Sequence, residues 1–564
     1  MWVGKSNQIV KRFWTIALLM SLLAAAVFWR LNQSPPAPKA TALLPETTVL
    51  LLEFPDFART CASFPKTAAY ALWREPQVQA LAHDVNRAFM ESLGAPKGKR
   101  RHESFIASAL EPAKGEVFLA FTELSLQPRL GFKAVLGLDV RRNLLVTKIA
   151  LAYREFRIRT WNRTARFYTK KHSGVAYRVW ELNPQLRVHH AFLNSLLVYT
   201  LDEELLRAMI ERFAGQTRGS FTPTPSRPEF VAYANPALIR NAWPWLTRSK
   251  PITLSTTFLG SQIRDVRFSH GKTNMPPLPR FQTMIFTIPQ TVFYRVGVTD
   301  WESGYREFAD SLAASGDRDS VSRLSRFERT LRQNGIRPEE DLFRKLGPET
   351  ALLANWRAGA RLPDVALVVE LQDPDTMRLR LDVAMTALKA ATDNPPLWDV
   401  TQFHDETLRT LRLRTSAFAP TYFTTDKFFV LASSPDFARE LVGQLKELAP
   451  SLAMNAGYQE AMKHLPTNAV AYTYCNLRAV APPLLAALHN DKLPSPETLA
   501  RHLSPLVSAT LGDTTITISP LGEPATVAFG ALAAYFAVSQ AVPTTSSSTK
   551  PPGNPTAPSQ TPAR

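Results

Sequence analysis

Between positions 141 and 171 the chain carries Arg141, Arg142, Lys148, Arg154, Arg157, Arg159, Arg163, Arg166, Lys170 and Lys171 against one acid, Glu155. A second basic group, Lys97, Lys99, Arg100 and Arg101, stands shortly before it. Cations at this density bind anions. Each Lys or Arg close to anionic headgroups contributes about 1 kcal/mol, within a Debye length of about 8–10 Å. The candidate partners are an anionic lipid, an anionic wall polymer or an acidic protein surface. Tyr153, Phe156, Trp161, Phe167 and Tyr168 interleave with the arginines. Such interleaving could stack single-stranded bases. It is also the pattern of a half-buried strand, which is the reading taken for this window. Nucleic acid is not expected, given the location argued below.

Covalent and metal chemistry find less support. The sequence holds no G-x-x-x-x-G-K-[ST], G-x-S-x-G, H-E-x-x-H or paired C-x-x-C. His189 and His190 are adjacent, so in a strand they point to opposite faces and do not chelate together. His172 and His404 fall near expected hairpin tips, and His83-Asp84 has no nucleophile beside it in sequence. Glu203-Glu204 and Glu339-Glu340 suit helix first turns, where the helix dipole favours carboxylates. No catalytic residue, cofactor or metal ligand is assigned. A non-enzymatic envelope scaffold or binding module is the reading. An envelope hydrolase or transferase with scattered residues between two copies is the alternative, and a homo-oligomer built from basic-to-acidic contacts is a third.

The elements that must position these residues recur. The chain has 564 residues, enough for two or more domains. Leu44-Pro45-Glu46-Thr47-Thr48-Val49 opens one stretch and Ile288-Pro289-Gln290-Thr291-Val292 another. From mid-copy an offset of 232 brings Leu110 onto Leu342, Gly115 onto Gly347, Ala134 onto Ala366, His172 onto His404 and Val198 onto Val430. Long-period self-similarity is the mark of repeated modules. In the second copy, Val321, Leu324, Phe327 and Leu331 form one helical stripe, and Pro338 to Leu346 reads as a short helix. Val365 to Leu371 and Leu196 to Thr200 read as buried strands. Helices are expected from about Asp202 and after Ser433-Ser434-Pro435-Asp436. With hairpins at His172-Ser173-Gly174 and His404-Asp405-Glu406 and no sustained βαβ rhythm, the expected class is α+β: two tandem duplicated modules, each a mainly antiparallel sheet with packed helices.

Phe13 to Trp29 is apolar throughout, follows Lys11 and Arg12, and reads as a transmembrane anchor at the short end of spanning length. The charge bias puts the N-terminus inside and the body outside the cytoplasm. A cleaved signal peptide ending at Ala24-Ala25-Ala26 is the rival reading, but it would leave Val27-Phe28-Trp29 on the mature terminus. Expected boundaries are 1–30 for the cytoplasmic stub and anchor, 31–43 for a Pro-rich linker, 44–285 and 286–530 for the two copies, and 531–564 for a helix remnant and Pro/Ser/Thr-rich tail. Ala525 to Val542 reads as a helix packed on the body or lying on the membrane, with a second membrane span as the alternative. Cys61 and Cys475 read as two separate buried thiols, one bridge being the other option.

The LP-x-x-T opening Leu44-Pro45-Glu46-Thr47-Thr48, the segment Asp341-Leu342-Phe343-Arg344-Lys345-Leu346-Gly347 and the strand-to-helix run Phe428 to Asp436 give the chain a resemblance to a family of uncharacterised bacterial membrane-anchored envelope proteins, a domain of unknown function. The resemblance implies a single-pass inner-membrane protein with an extracytoplasmic body, and no chemistry. The first copy departs from the pattern at Glu111-Pro112-Ala113-Lys114-Gly115, which lacks the Asp-Leu pair.

The copies differ in charge. Residues 44–285 hold 34 Lys and Arg against 19 Asp and Glu, a net of +15, whereas 286–530 hold 25 against 29, a net of −4. The window matching 141–171, at 373–403, carries Asp373, Asp375, Asp382, Asp393 and Asp399 against Arg378, Arg380 and Lys389. A shared fold therefore does not require the basic residues, and the first copy is expected to dock to an anionic surface.

Overall fold

A computed structural model describes residues 35–80, 113–125, 131–184, 186–215, 228–240, 250–269, 277, 281–315, 317–390, 397–412, 419–488 and 495–523. The anchor expected at Phe13–Trp29, the basic group at 97–101 and the 525–542 segment lie outside these residues. Among the described residues no helix is long and apolar enough to cross a membrane.

Among the described residues the chain is α+β and its strand ladders all pair antiparallel, with one isolated parallel bridge between Ser125 and Arg240. Ten strands come from the first half: β1 (Leu50–Phe54), β2 (Val117–Ser125), β3 (Gly131–Asp139), β4 (Arg166–His172), β5 (Val175–Asn183), β6 (Leu186–Leu193), β7 (Leu196–Thr200), β8 (Phe230–Ala234), β9 (Ile252–Leu259) and β10 (Gln262–Ser269). Ten more come from the second: β11 (Phe293–Val298), β12 (Leu346–Asn355), β13 (Asp364–Leu371), β14 (Leu397–Phe403), β15 (Glu406–Arg412), β16 (Thr421–Thr424), β17 (Phe428–Ala432), β18 (Ala471–Cys475), β19 (Leu506–Leu511) and β20 (Thr514–Ser519). Pairing runs β4-β5-β6-β7-β3-β2-β1-β8-β9-β10 in the first half. In the second it runs β14-β15-β16-β17-β13-β12-β11-β18-β19-β20. The two orders are the same, and β10 pairs with β20 to join them in one 20-stranded sheet.

Short helices fill the crossovers: α1 (Ala40–Leu43), α2 (Phe57–Ser63), α3 (Ala68–Trp73), α4 (Leu144–Trp161), α5 (Glu203–Phe213), α6 (Trp301–Ser315), α7 (Arg318–Gln333), α8 (Pro374–Ala390) and α9 (Pro435–Glu447). Local signals set their starts. Asp202 accepts the Leu205 amide at 2.9 Å, and Ser434 accepts that of Phe437 at 3.2 Å, with Pro435 in the first turn. The β4–β5 turn places Ser173 and Gly174 at φ 45° and 81°, and the β14–β15 turn places His404 and Asp405 at 46° and 64°. Two positive φ values in a two-residue turn match the twist of the flanking strands.

Strand alternation gives the sheet two apolar faces. In the first half Leu51, Phe118, Val135 and Val198 meet α1 and α5 on one face, while Phe54, Leu138, Trp180 and Leu197 meet α2 and α4 on the other. In the second, Tyr294, Leu353, Val368 and Val430 pack against Phe437, Leu441 and Val442 of α9. Met377, Ala384 and Ala387 of α8 pack with Leu331 of α7.

Four expectations need correction. Residues 144–161 form a helix, not a half-buried strand. Two apolar stripes on opposite sides of α4, Thr147-Leu151-Ile158 inward and Val146-Ile149-Tyr153-Phe156 outward, blur its periodicity. The 31–43 linker ends earlier than expected: Ala40, Leu43 and Leu44 are fully buried in the first-half core. The 285/286 boundary also moves earlier, because Thr283, Met284 and Phe286 are buried in the second half. Finally, one ungapped offset does not hold through the sheet. Ala134 is half-buried but Ala366 is fully buried, so the residue facing the same way is Val135. A one-residue slip reverses the face a strand residue points to.

Candidate anionic-surface site

Helix α4 lies across the sheet with Leu151 and Ile158 in the core. Glu155, the one acid in the 141–171 window, turns inward. It accepts Arg178 Nε at 2.8 Å, Arg178 Nη2 at 2.5 Å and Trp180 Nε1 at 2.6 Å. Burial works to raise this carboxyl, but the Arg178 and Trp180 bonds outweigh it and hold the group below its ordinary range. Its charge is therefore spent on β5. Lys148, Arg157, Arg159 and Arg163 are exposed on α4 and the turn after it. Lys148 Nζ stands 5.3 Å from the Phe192 ring centre, and the Arg159 guanidinium 5.0 Å from that of Phe167. Both cations rest on aromatic faces without losing their charge.

The remaining sequence candidates divide. Arg141 takes φ 38° and clamps Asp139, its amide to Oδ1 at 3.0 Å and its Nε to Oδ2 at 2.8 Å. Arg142 belongs to the same turn. Arg154 is half-buried. On β4, Arg166, Tyr168 and Lys170 share the face toward α5, and only Lys171 shares the α4 side with Phe167. Lys170 is spent on Glu203 at 2.8 Å. Glu203 also accepts Tyr177 Oη at 2.6 Å and Arg207 Nη2 at 2.7 Å. Burial opposes the charge, but Lys170, Tyr177 and Arg207 together hold Glu203 down at about 2. The Glu203 carboxylate thus ties β4 to α5, beyond the dipole role its first-turn position suggests. So Lys148, Arg157, Arg159 and Arg163 are exposed on α4 and its following turn and Lys171 is exposed on the α4 side of β4, whereas Arg166 and Lys170 lie on the opposite face of that strand.

Sequence reasoning missed a pair of buried glutamates. Glu116 accepts the amide of Ala40 at 2.7 Å, at the start of α1. Glu349 accepts the amide and hydroxyl of Thr283, each at 2.7 Å, at the equivalent entry turn. Each lies beside a glycine that admits no side chain: a Cβ on Gly115 would stand 2.0 Å from Asp139 Oδ2, and one on Gly347 2.6 Å from Glu370 Cγ. Burial first, then Glu53, push the Glu116 carboxyl up to about 8. The repeated Gly-Glu and Gly-Pro-Glu steps were the available signal.

His189 and His190 are both buried and point to opposite faces, His190 lying 4.8 Å from the Trp180 ring centre and 5.5 Å from that of Tyr199. Burial pushes His190 down to about 4. Cys61 and Cys475 are separate half-buried thiols, each pushed up by burial to about 11. No group of three or more His, Cys, Asp or Glu among the described residues could hold a metal ion. A cavity of about 360 Å³, lined by Asp399, Thr401, Thr410, Arg412, Ala419, Pro435 and Arg439, lies within the second half. Its acid, Asp399, pairs with Arg412, and its second base, Arg439, pairs with Asp436. No protein-family model, curated protein or solved structure matches the chain.

Proposed function

We propose that the chain is a non-enzymatic, membrane-anchored envelope protein of two duplicated α+β modules, whose first module docks to an anionic surface. One observation carries the docking: the solvent side of α4 and its following turn presents Lys148, Arg157, Arg159 and Arg163, while Glu155 is consumed by Arg178 and Trp180. Fixed cations without a neighbouring acid attract anions over a Debye length. Duplication is supported by the identical strand order of the halves, by the paired glutamates Glu116 and Glu349, and by the inward ion pairs Arg178–Glu155 and Arg409–Asp382. The apolar Phe13–Trp29 stretch and the resemblance to the envelope family support the anchored, extracytoplasmic setting. The body, residues 35–523, should sediment with phosphatidylglycerol vesicles and release as salt rises. Equal retention on neutral vesicles, or binding indifferent to salt, would sink the reading.

A further inference from the structure

The outward side of α4 is apolar as well as basic. Val146, Ile149, Tyr153 and Phe156 are 48, 60, 60 and 64% exposed, and their spacing of three, four and three residues sets them in one stripe. These four side chains, two of them aromatic, are left in contact with solvent. Lys148, Arg157 and Arg159 flank the stripe, and Glu155, the acid of this helix, faces the sheet. Aromatic and aliphatic side chains rimmed by cations are the composition of a helix that lies in the headgroup region, its apolar side about 5–10 Å into the acyl boundary.

Resting on the docking reading above, we infer that α4 is an interfacial helix: the anionic surface is a phospholipid bilayer, and Val146, Ile149, Tyr153 and Phe156 enter it while the flanking cations hold the headgroups. A hydrophilic wall polymer would satisfy the charges and leave the stripe wet. The stripe also explains why α4 carries a second apolar face that the sheet does not use.

The test is made on the full chain reconstituted in vesicles, with an environment-sensitive dye on Ile149→Cys. At neutral pH burial keeps the Cys61 and Cys475 thiols protonated, and the labelled parent serves as blank. In phosphatidylglycerol vesicles the dye should shift to the blue, brighten about twofold and be quenched by brominated acyl chains, as an interfacial position requires. The effect should fade in phosphatidylcholine and disappear when Tyr153→Glu and Phe156→Glu are added. A dye on Leu362→Cys, exposed in the second half, should not respond. If the 35–523 body binds anionic vesicles with salt dependence but the Ile149→Cys dye stays unchanged, the interfacial helix is overturned and the docking reading stands. If neither responds, both fall. A dye already shielded before lipid is added means that other residues of the chain, 81–112 among them, cover α4, and overturns the inference.

Discussion

Asp265 of β10 stands directly opposite Thr517 of β20. The hairpin glycines Gly260 and Gly512 are separated by 252 positions, as are Asp265 and Thr517. The two residues therefore hold corresponding places in the two halves. The seam is self-complementary, as an isologous contact between identical subunits would be. Asp265 is fully buried and accepts the Thr256 hydroxyl at 2.5 Å and the Glu523 amide at 2.6 Å. Asp265→Ala removes both acceptors and strands the donors, at a cost of about 2 kcal/mol. Hydrogen exchange should quicken first in β10 and β20, and thermal unfolding should separate into two transitions. A single cooperative transition at the parent midpoint would contradict this.

Glu116 sets an alkaline limit. Its carboxyl is lifted from the ordinary 4.5 to about 8, burial being the main cause. Between those values the folded state holds the proton and the unfolded state has released it. Stability from this group is thus full below about 4.5 and falls as pH rises toward 8, by about 1.4 kcal/mol per pH unit at the steepest. Glu116→Gln still accepts the Ala40 amide and has no proton to lose. Denaturant titrations should show the variant gaining on the parent from pH 5 to pH 8.5 and matching it at pH 4.

His190 works at the other end. Burial lowers it from the ordinary 6.5 to about 4, and its Nδ1 is buried without a hydrogen-bond partner. In that range the unfolded state binds the proton and the folded state does not. The contribution is complete above about 6.5 and is lost as pH falls toward 4. His190→Phe keeps the ring against Trp180 and Tyr199 and should flatten the stability profile between pH 6.5 and 4, read by thermal midpoints across that range.

Gly115 tests the entry-turn architecture. Gly115→Ala drives a methyl into the Asp139 carboxylate, which also receives the Ser195 hydroxyl at 2.8 Å and the Arg141 bonds. Overpacking of this kind costs about 1–3 kcal/mol. Gly304→Ala, a helical position with open space around it, is the control and should stabilise or leave the protein unchanged. Chemical denaturation midpoints compare the two.

Much of the local structure was legible. Asp202 and Ser434 as caps, the α7 stripe, the hairpins at Ser173-Gly174 and His404-Asp405, and the buried runs of β7 and β13 all follow from nearest-neighbour chemistry. The strand expected across the 144–161 segment was not borne out, because α4 is apolar on two sides and its period is masked. The basic residues were visible as a cluster in sequence, but β4 alternation sends Lys170 to Glu203 and leaves Lys171 on the other face.

By itself the sequence determined the α+β class, several strands, the helix caps at Asp202 and Ser434, two hairpin turns, the uneven charge of the two halves and the absence of familiar catalytic motifs, since most of these depend on residues within a few positions of one another. Tertiary structure decided which cations remain free, which carboxylates are buried, how far the register shifts along the sheet, and that β10 meets β20. Those outcomes depend on which face each strand residue takes and on partners hundreds of positions apart, 258 for Asp265 and Glu523 and 427 for Glu75 and His502, and no local pattern encodes them.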